Sequence, residues 1–162
     1  MLFRSTIGNL EPDQAVAFLA NARDRLGPSS LFILGVDLAK DPAVLVAAYD
    51  DAQGVTAAFN KNLLVRANRE LGADFDLDAF EHLAVWNVEK SRMEMHLRAT
   101  RAMEVHIGSA VISFAEGETI HTESSRKFTE GSVTAMAEAA GWRVVSFQQS
   151  PDPSVALVLL SA

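Results

Sequence analysis

The chain has 162 residues, 49% hydrophobic and 22% charged, with a formal net charge of −7 and no cysteine. That size and apolar share suit one globular unit, or one domain carrying a sizeable insertion. The acidic balance, with no Lys/Arg run, argues against a nucleic-acid backbone or an anionic membrane as partner, and the lack of cysteine excludes disulfides, thiolate metal ligands and a cysteine nucleophile. Cysteine absence also fits a reducing compartment. No apolar run approaches the roughly 18 residues of a membrane span. Arg4 and Asn9 interrupt the apolar start, so no signal peptide is expected and a cytoplasmic location is.

The first ten residues read as a strand over Leu2–Ile7, a tight loop at Gly8-Asn9 and a helix opening at Glu11-Pro12-Asp13. That order places ligand sites at strand ends in α/β proteins. Gly8 lets a ligand approach the main chain, and Asn9 offers an amide that both donates and accepts; a polar turn without a ligand fits the same residues. The helix runs to Leu26, with Ala15, Phe18, Leu19, Ala22 and Leu26 on one face, and Gly27-Pro28 stops it. Leu31–Val36 is continuously apolar and reads as a strand buried on both faces. Strand, helix and strand imply a crossover in a parallel sheet. Asp37 then stands at a strand end, where it either addresses a ligand or caps the next turn.

A long helical region from Ala43 to Gly72 follows, broken near Gln53-Gly54, with Gly72 as its C-terminal cap. From His82 the period changes to two. Strands are expected over Leu83–Val88, Arg92–Ala99, Met103–Ile107, Ala110–Phe114 and Glu118–Glu123, forming an antiparallel meander with a two-residue turn at Gly108-Ser109. Thr129 caps a helix ending at Gly141, and Trp142–Phe147 and Val155–Leu160 make a closing hairpin. Two modules result: an α/β layer from residues 1–38 and 128–162, and an inserted α+β module over 39–127.

Four histidines, at 82, 96, 106 and 121, invite a metal reading, but none pairs with another at helical i, i+4 spacing beside a carboxylate. Solvated or hydrogen-bonded histidines, and no metal, are the expectation. Neither Gly-x-Ser-x-Gly nor Gly-x-Gly-x-x-Gly occurs. Tyr49, the sole tyrosine, suits either a helix–core contact or a phenol aimed at a polar ligand. Glu123 and Ser125 lie two apart, so on extended backbone they point the same way and offer a carboxylate and a hydroxyl to one ligand; an exposed strand end is equally polar.

Ser5-Thr6-Ile7-Gly8-Asn9, Gly35–Pro42, Ala48-Tyr49-Asp50-Asp51, Ala57–Asn62, Asn68–Phe75, Arg92–Leu97 and Glu118–Glu123, in this order, resemble the histidine-specific, S-adenosylmethionine-dependent methyltransferases of ergothioneine biosynthesis. The resemblance is to the C-terminal half of that family. It implies a partial Rossmann-like methyltransferase sheet, strands 4 to 7 of the family, with an inserted α+β substrate domain over 39–127. It implies L-histidine as substrate, with Asn9 and Tyr49 on its α-amino and carboxylate end and Glu123 and Ser125 on its imidazole. The family's main S-adenosylmethionine loop lies upstream of these blocks, and no residue here is assigned to that cofactor. Arg4 departs from the glycine that usually precedes Ser-Thr-Ile-Gly-Asn, and Ser124 from an asparagine. A sheet beginning at Leu2–Ile7 has an open apolar edge, expected to be covered by a second copy, by exchange of elements, or by a separate chain with the cofactor half. The resemblance implies N-methylation of histidine. The missing loop leaves a non-catalytic binding or assembly module, or an inactive remnant, as the alternatives.

Overall fold

We describe a computed structural model of the chain over residues 2–3, 6–150 and 154–162. Its strands and α-helices are, in order, β1 (Leu2–Phe3), α1 (Pro12–Leu26), β2 (Leu31–Asp37), α2 (Pro42–Tyr49), α3 (Val55–Leu71), β3 (Phe80–Asn87), β4 (Arg92–Ala99), β5 (Met103–Ile107), β6 (Ala110–Phe114), β7 (Thr119–Arg126), α4 (Glu130–Ala139), β8 (Arg143–Ser150) and β9 (Val155–Ser161). They fall into two compact units. The first comprises residues 1–41, 87–92 and 124–162, and the second 42–86 and 93–123.

The first unit holds a four-stranded sheet in the order β1–β2–β9–β8. β1 runs parallel to β2, and β9 runs antiparallel to both β2 and β8. The crossover helix between the parallel strands is α1, as the sequence order requires. Pro12 stands in its first turn, where an N–H has no helical partner, and Glu11 and Gln14 form a capping box. Gly27 closes it at φ 86°, a conformation that suits glycine. Thr129 caps α4 through Ser132 in the same manner. Phe32, Leu34, Val36, Val158 and Leu160 share a core with Leu19, Val133 and Trp142. The buried indole of Trp142 donates to the Leu19 carbonyl at 2.8 Å, tying the end of α4 to α1.

Two expectations for this unit are corrected. Of the segment expected as strand Leu2–Ile7, the described residues are strand at Leu2–Phe3 and a turn of 3-10 helix over Thr6–Asn9. Arg4 and Ser5 lie outside the described residues, as does the Pro151-Asp152-Pro153 turn. β2 is not buried on both faces: Phe32, Leu34 and Val36 are buried, whereas Leu31 is 56% and Ile33 39% exposed. The apolar run is real, but only its even-numbered face packs into the core shared with α1 and α4. Ile33 pairs with Leu159 and Gly35 with Leu157, so the exposed face continues across β9, where Leu157 is 53% exposed.

The second unit contains α2, α3 and the period-two region. Its helices break at residues 50–54, beside the predicted Gln53-Gly54, and α3 ends at Gly72 in the left-handed conformation. Met93, Met95 and Leu97 are buried, and Arg98 on the other side of β4 is exposed. β5 and β6 pair antiparallel about Gly108-Ser109, with Gly108 at φ 58°, as a type II′ turn requires of its first central residue. The expected meander is not continuous. β4 pairs with β3 and β7, and the β5–β6 hairpin stands as a separate two-stranded sheet. Phe75, Phe80 and Phe114 meet edge-on or tilted at 5.4 to 6.4 Å, in a core that includes Leu64 from α3, Leu97 from β4 and Val105 from β5. Hairpin and β4 therefore share apolar cover without sharing a hydrogen-bond ladder.

Candidate functional site

In the first unit, Asn9 ends the 3-10 turn and is exposed, while the two residues before it, Ile7 and Gly8, are buried. The need for glycine at position 8 comes from the protein itself. A Cβ there would lie 2.9 Å from the Arg126 carbonyl oxygen and 3.3 Å from its nitrogen. The backbone that approaches Gly8 is therefore the end of β7, the strand that carries Ser125.

Ser125 is half-buried. Its Oγ accepts a hydrogen bond from Lys127 Nζ at 2.9 Å, and the same ammonium donates to Asp37 Oδ2 at 2.7 Å. The Lys127 side chain is fully buried. A second ammonium, that of Lys40, reaches Asp37 Oδ1 at 3.0 Å. Burial opposes ionisation of Asp37, but the hydrogen bonds from Lys127 and Lys40 outweigh it and hold the carboxyl below its ordinary value. Asp37 is thus an anchor for two lysines at the end of β2. The Lys127 backbone is fixed as well: its N–H donates to the Ser91 carbonyl at 2.8 Å, and Ser91 Oγ donates back to the Lys127 carbonyl at 3.2 Å. Ser91 is the one non-glycine among the described residues with positive φ, at 47°.

In the second unit, Tyr49 ends α2, half-buried against Leu45, Ala84 and Met93. Its carbonyl accepts from His82 Nε2 at 2.7 Å. The buried Asn60 amide supplies the other side of that ring: Nδ2 reaches His82 Nδ1 at 2.9 Å and the His96 carbonyl at 3.0 Å. An amide nitrogen only donates, so Nδ1 of His82 is the acceptor and Nε2 carries the proton. Further along the unit, the His96 and His121 rings stack 4.8 Å apart. His121 Nε2 bonds the Glu123 carbonyl at 3.1 Å, and Glu123 is half-buried. The main chains of both predicted residues in this unit are thus held by histidines.

All four histidines have a hydrogen-bond partner, His106 through Asp74. Glu94, His96 and His121 also bring one ligand atom each within 4.8 Å of the others. The helical-spacing test could not find this group, because strands build it: Glu94 and His96 alternate onto one face of β4, and β7 supplies His121. Asn60, His82 and Lys127 were missed for a similar reason. Each acts through a neighbour distant in sequence. The one signal for Lys127 was its place two residues beyond Ser125 and directly before the apolar Phe128.

All 162 residues match the family described as histidine-specific methyltransferase, SAM-dependent. The chain belongs to this family. It is 50% identical over 149 residues to the histidine N-alpha-methyltransferase of Mycolicibacterium smegmatis, covering 91% of this chain and 46% of that protein. It is 48% identical over 139 residues to the Mycobacterium tuberculosis protein of the same name, covering 85% and 43%. Ergothioneine biosynthesis protein 1 of Neurospora crassa is 30% identical over 145 residues, covering 88% and 16%. The chain spans less than half the length of these relatives.

The family's cofactor is S-adenosylmethionine. A cleft of about 310 Å³ in the first unit is lined by Glu11, Pro12, Glu89, Lys90, Arg92 and Arg126. Arg92 is buried there, paired with Glu11 at 2.7 Å. Three cations, two carboxylates and one apolar ring do not make an adenine platform, and the chain has no Gly-x-Gly-x-x-Gly loop for the methionine end. The residues of this cleft do not fit the cofactor.

Proposed function

We propose that this chain is the histidine-binding portion of a histidine-specific N-methyltransferase, directing reaction to the α-amino group of L-histidine. The observation that carries the reading is the family match over the whole chain, with Asn9, Tyr49, Glu123 and Ser125 all present in the matched length. In this reading Asn9 and Tyr49 hold the α-amino and carboxylate end of the substrate. Glu123 accepts from one imidazole nitrogen and Ser125 meets the other. A carboxylate and a hydroxyl built for two ring nitrogens reject side chains that leave them unpaired. The α-amine must be neutral to act as nucleophile, and the chain's part is to present it at a fixed position and angle. The inserted domain, taken as 39–127 from the sequence, is the substrate domain.

The protein acts in the cytoplasm, with its uncovered sheet face against a partner. Exposed Leu31, Ile33 and Leu157, together with edge strand β1, support a covering second copy, an exchanged element or a chain carrying the cofactor half. A second reading, a module that binds histidine without methylating it alone, is favoured by the charged lining of the cleft between Glu11 and Arg126. Calorimetry with L-histidine and with S-adenosylhomocysteine separates them. Histidine binding alone supports the substrate-binding portion, binding of both supports a complete enzyme, and binding of neither refutes both readings.

A further inference from the structure

We propose that Glu94, His96 and His121 form a binding site for one zinc ion. The inference goes beyond the histidine-binding reading and stands without it. It departs from the expectation of no metal, which rested on helical spacing.

All three residues belong to the second unit, two on β4 and one on β7, strands that pair in one sheet. One ligand atom from each lies within 4.8 Å of the others. Zinc holds nitrogen and oxygen ligands at about 2.0–2.2 Å, which sets them roughly 3.4 Å apart in a tetrahedron. The widest pair therefore has to close by about 1.4 Å at most. His121 is exposed, and rotation of its ring supplies that movement. Two imidazoles and a carboxylate are a zinc ligand set that keeps a fourth position for water. Calcium and magnesium, which take oxygen ligands, are poorly served by it.

The His96 ring is held differently from that of His82, which has a partner at 2.7 Å on one nitrogen and at 2.9 Å on the other. His96 Nε2 is 3.3 Å from Glu94 Oε2, longer than an ordinary N–H···O bond. Its Nδ1 is buried with no hydrogen-bond partner among the described residues. Buried polar atoms in that condition are uncommon, and a ligand is one of the few things that account for them. The His96 and Glu94 side chains are only 15% and 13% exposed, and the His121 ring stacks on His96 at 21° from parallel.

The strands under the three side chains are pinned. Thr122 Oγ1 donates to the Met95 carbonyl at 2.8 Å, tying β7 to β4 beside His121 and His96. Asn60 Nδ2 donates to the His96 carbonyl at 3.0 Å, and Met93, Met95 and Leu97 are buried on the opposite side of β4. His121 Nε2 donates to the Glu123 carbonyl at 3.1 Å, the kind of outer bond that orients a metal-bound histidine through its second nitrogen. Arg98, the next residue on the Glu94–His96 side, is engaged by Glu81 at 2.7 Å.

The test is titration of the 162-residue chain with zinc chloride, followed by calorimetry and by NMR of the histidine ring protons. One ion per chain is expected, with the His96 and His121 ring signals shifted and those of His106 unmoved. His121→Ala and Glu94→Gln should each weaken zinc binding by more than about tenfold, the least that losing even an outer-shell partner costs a metal site. His106→Ala, which removes the exposed histidine paired with Asp74, should leave it unchanged. No zinc uptake by the wild type overturns the proposal. So does zinc binding left unchanged by His121→Ala or by Glu94→Gln, or zinc that shifts His106 in place of His96 and His121. His121 is exposed, so its alanine variant decides should Glu94→Gln fail to fold.

Discussion

Replacing Asn60 by leucine tests the support beneath Tyr49. Leucine matches the asparagine in shape and removes both donated hydrogens, to His82 Nδ1 at 2.9 Å and to the His96 carbonyl at 3.0 Å. A buried acceptor stripped of its partner costs about 1–3 kcal/mol. The His96 carbonyl sits in a strand and has a second lone pair, so its loss falls at the low end; His82 Nδ1 has one lone pair and takes the full penalty. Against this, Asn60 Oδ1 is buried with no hydrogen-bond partner among the described residues, and removing it recovers about 1 kcal/mol. The balance is a destabilisation of about 1–3 kcal/mol, read by urea denaturation with an unchanged denaturant slope. Asn60→Asp should cost more, because it adds a buried charge without restoring either donor. Histidine affinity should fall as well, since the His82 ring that holds the Tyr49 carbonyl loses its fixed tautomer. Asn60→Leu with wild-type stability and wild-type affinity would refute the reasoning.

Gly8→Ala sets a methyl 2.9 Å from a carbonyl oxygen in backbone that cannot give way as a side chain would, and should cost about 1–3 kcal/mol in thermal or chemical denaturation. Asp51 accepts from the Val55 and Thr56 N–H groups at the start of α3, at 3.0 and 2.8 Å. Its hydrogen bonds with Thr56 and Val55 lower its pKa from 3.8 to about 2. The folded value lies below the unfolded one, so its contribution to stability is present above about pH 4 and is lost as pH falls toward 2. Asp51→Asn should therefore flatten the acid limb of a stability–pH curve in that window and leave the neutral-to-basic limb parallel to wild type. Leu157→Lys, on the uncovered face of the sheet, should lower the mass found by light scattering if that face is an assembly surface, without altering the helix content.

What the sequence disclosed, and what it concealed, follows the reach of each interaction. Caps and turns are written locally, so Thr129, Gly27, Gly72 and the Gly108-Ser109 hairpin could be located from residue type and period alone. The alternation at Met93, Met95 and Leu97 likewise gave the buried side of β4. Pairing was less legible: β4 skips the intervening hairpin to reach β7, because the hairpin covers the aromatic core instead of extending the ladder. The apolar run at Leu31–Val36 read as a strand buried on both faces, yet α1 and α4 share the core of only one of them, and Leu31 and Ile33 on the other are exposed. Gly8 was marked for close approach, but the approaching backbone is that of Arg126. At the candidate site, Asn9, Tyr49, Glu123 and Ser125 are proposed from family resemblance. Their supports, Lys127, Asn60 and His82, lie 2 to 36 residues from what they hold, and only folded coordinates pair them.

The central claim is that this chain holds L-histidine by its ring. It is tested most directly by titrating the 162-residue protein with L-histidine in the calorimeter, wild type beside Glu123→Gln. Saturable binding is expected, and the variant should bind about ten- to a hundredfold more weakly, the worth of a hydrogen bond to a charged group. Equal affinity in the two proteins, or no heat from the wild type, would contradict it.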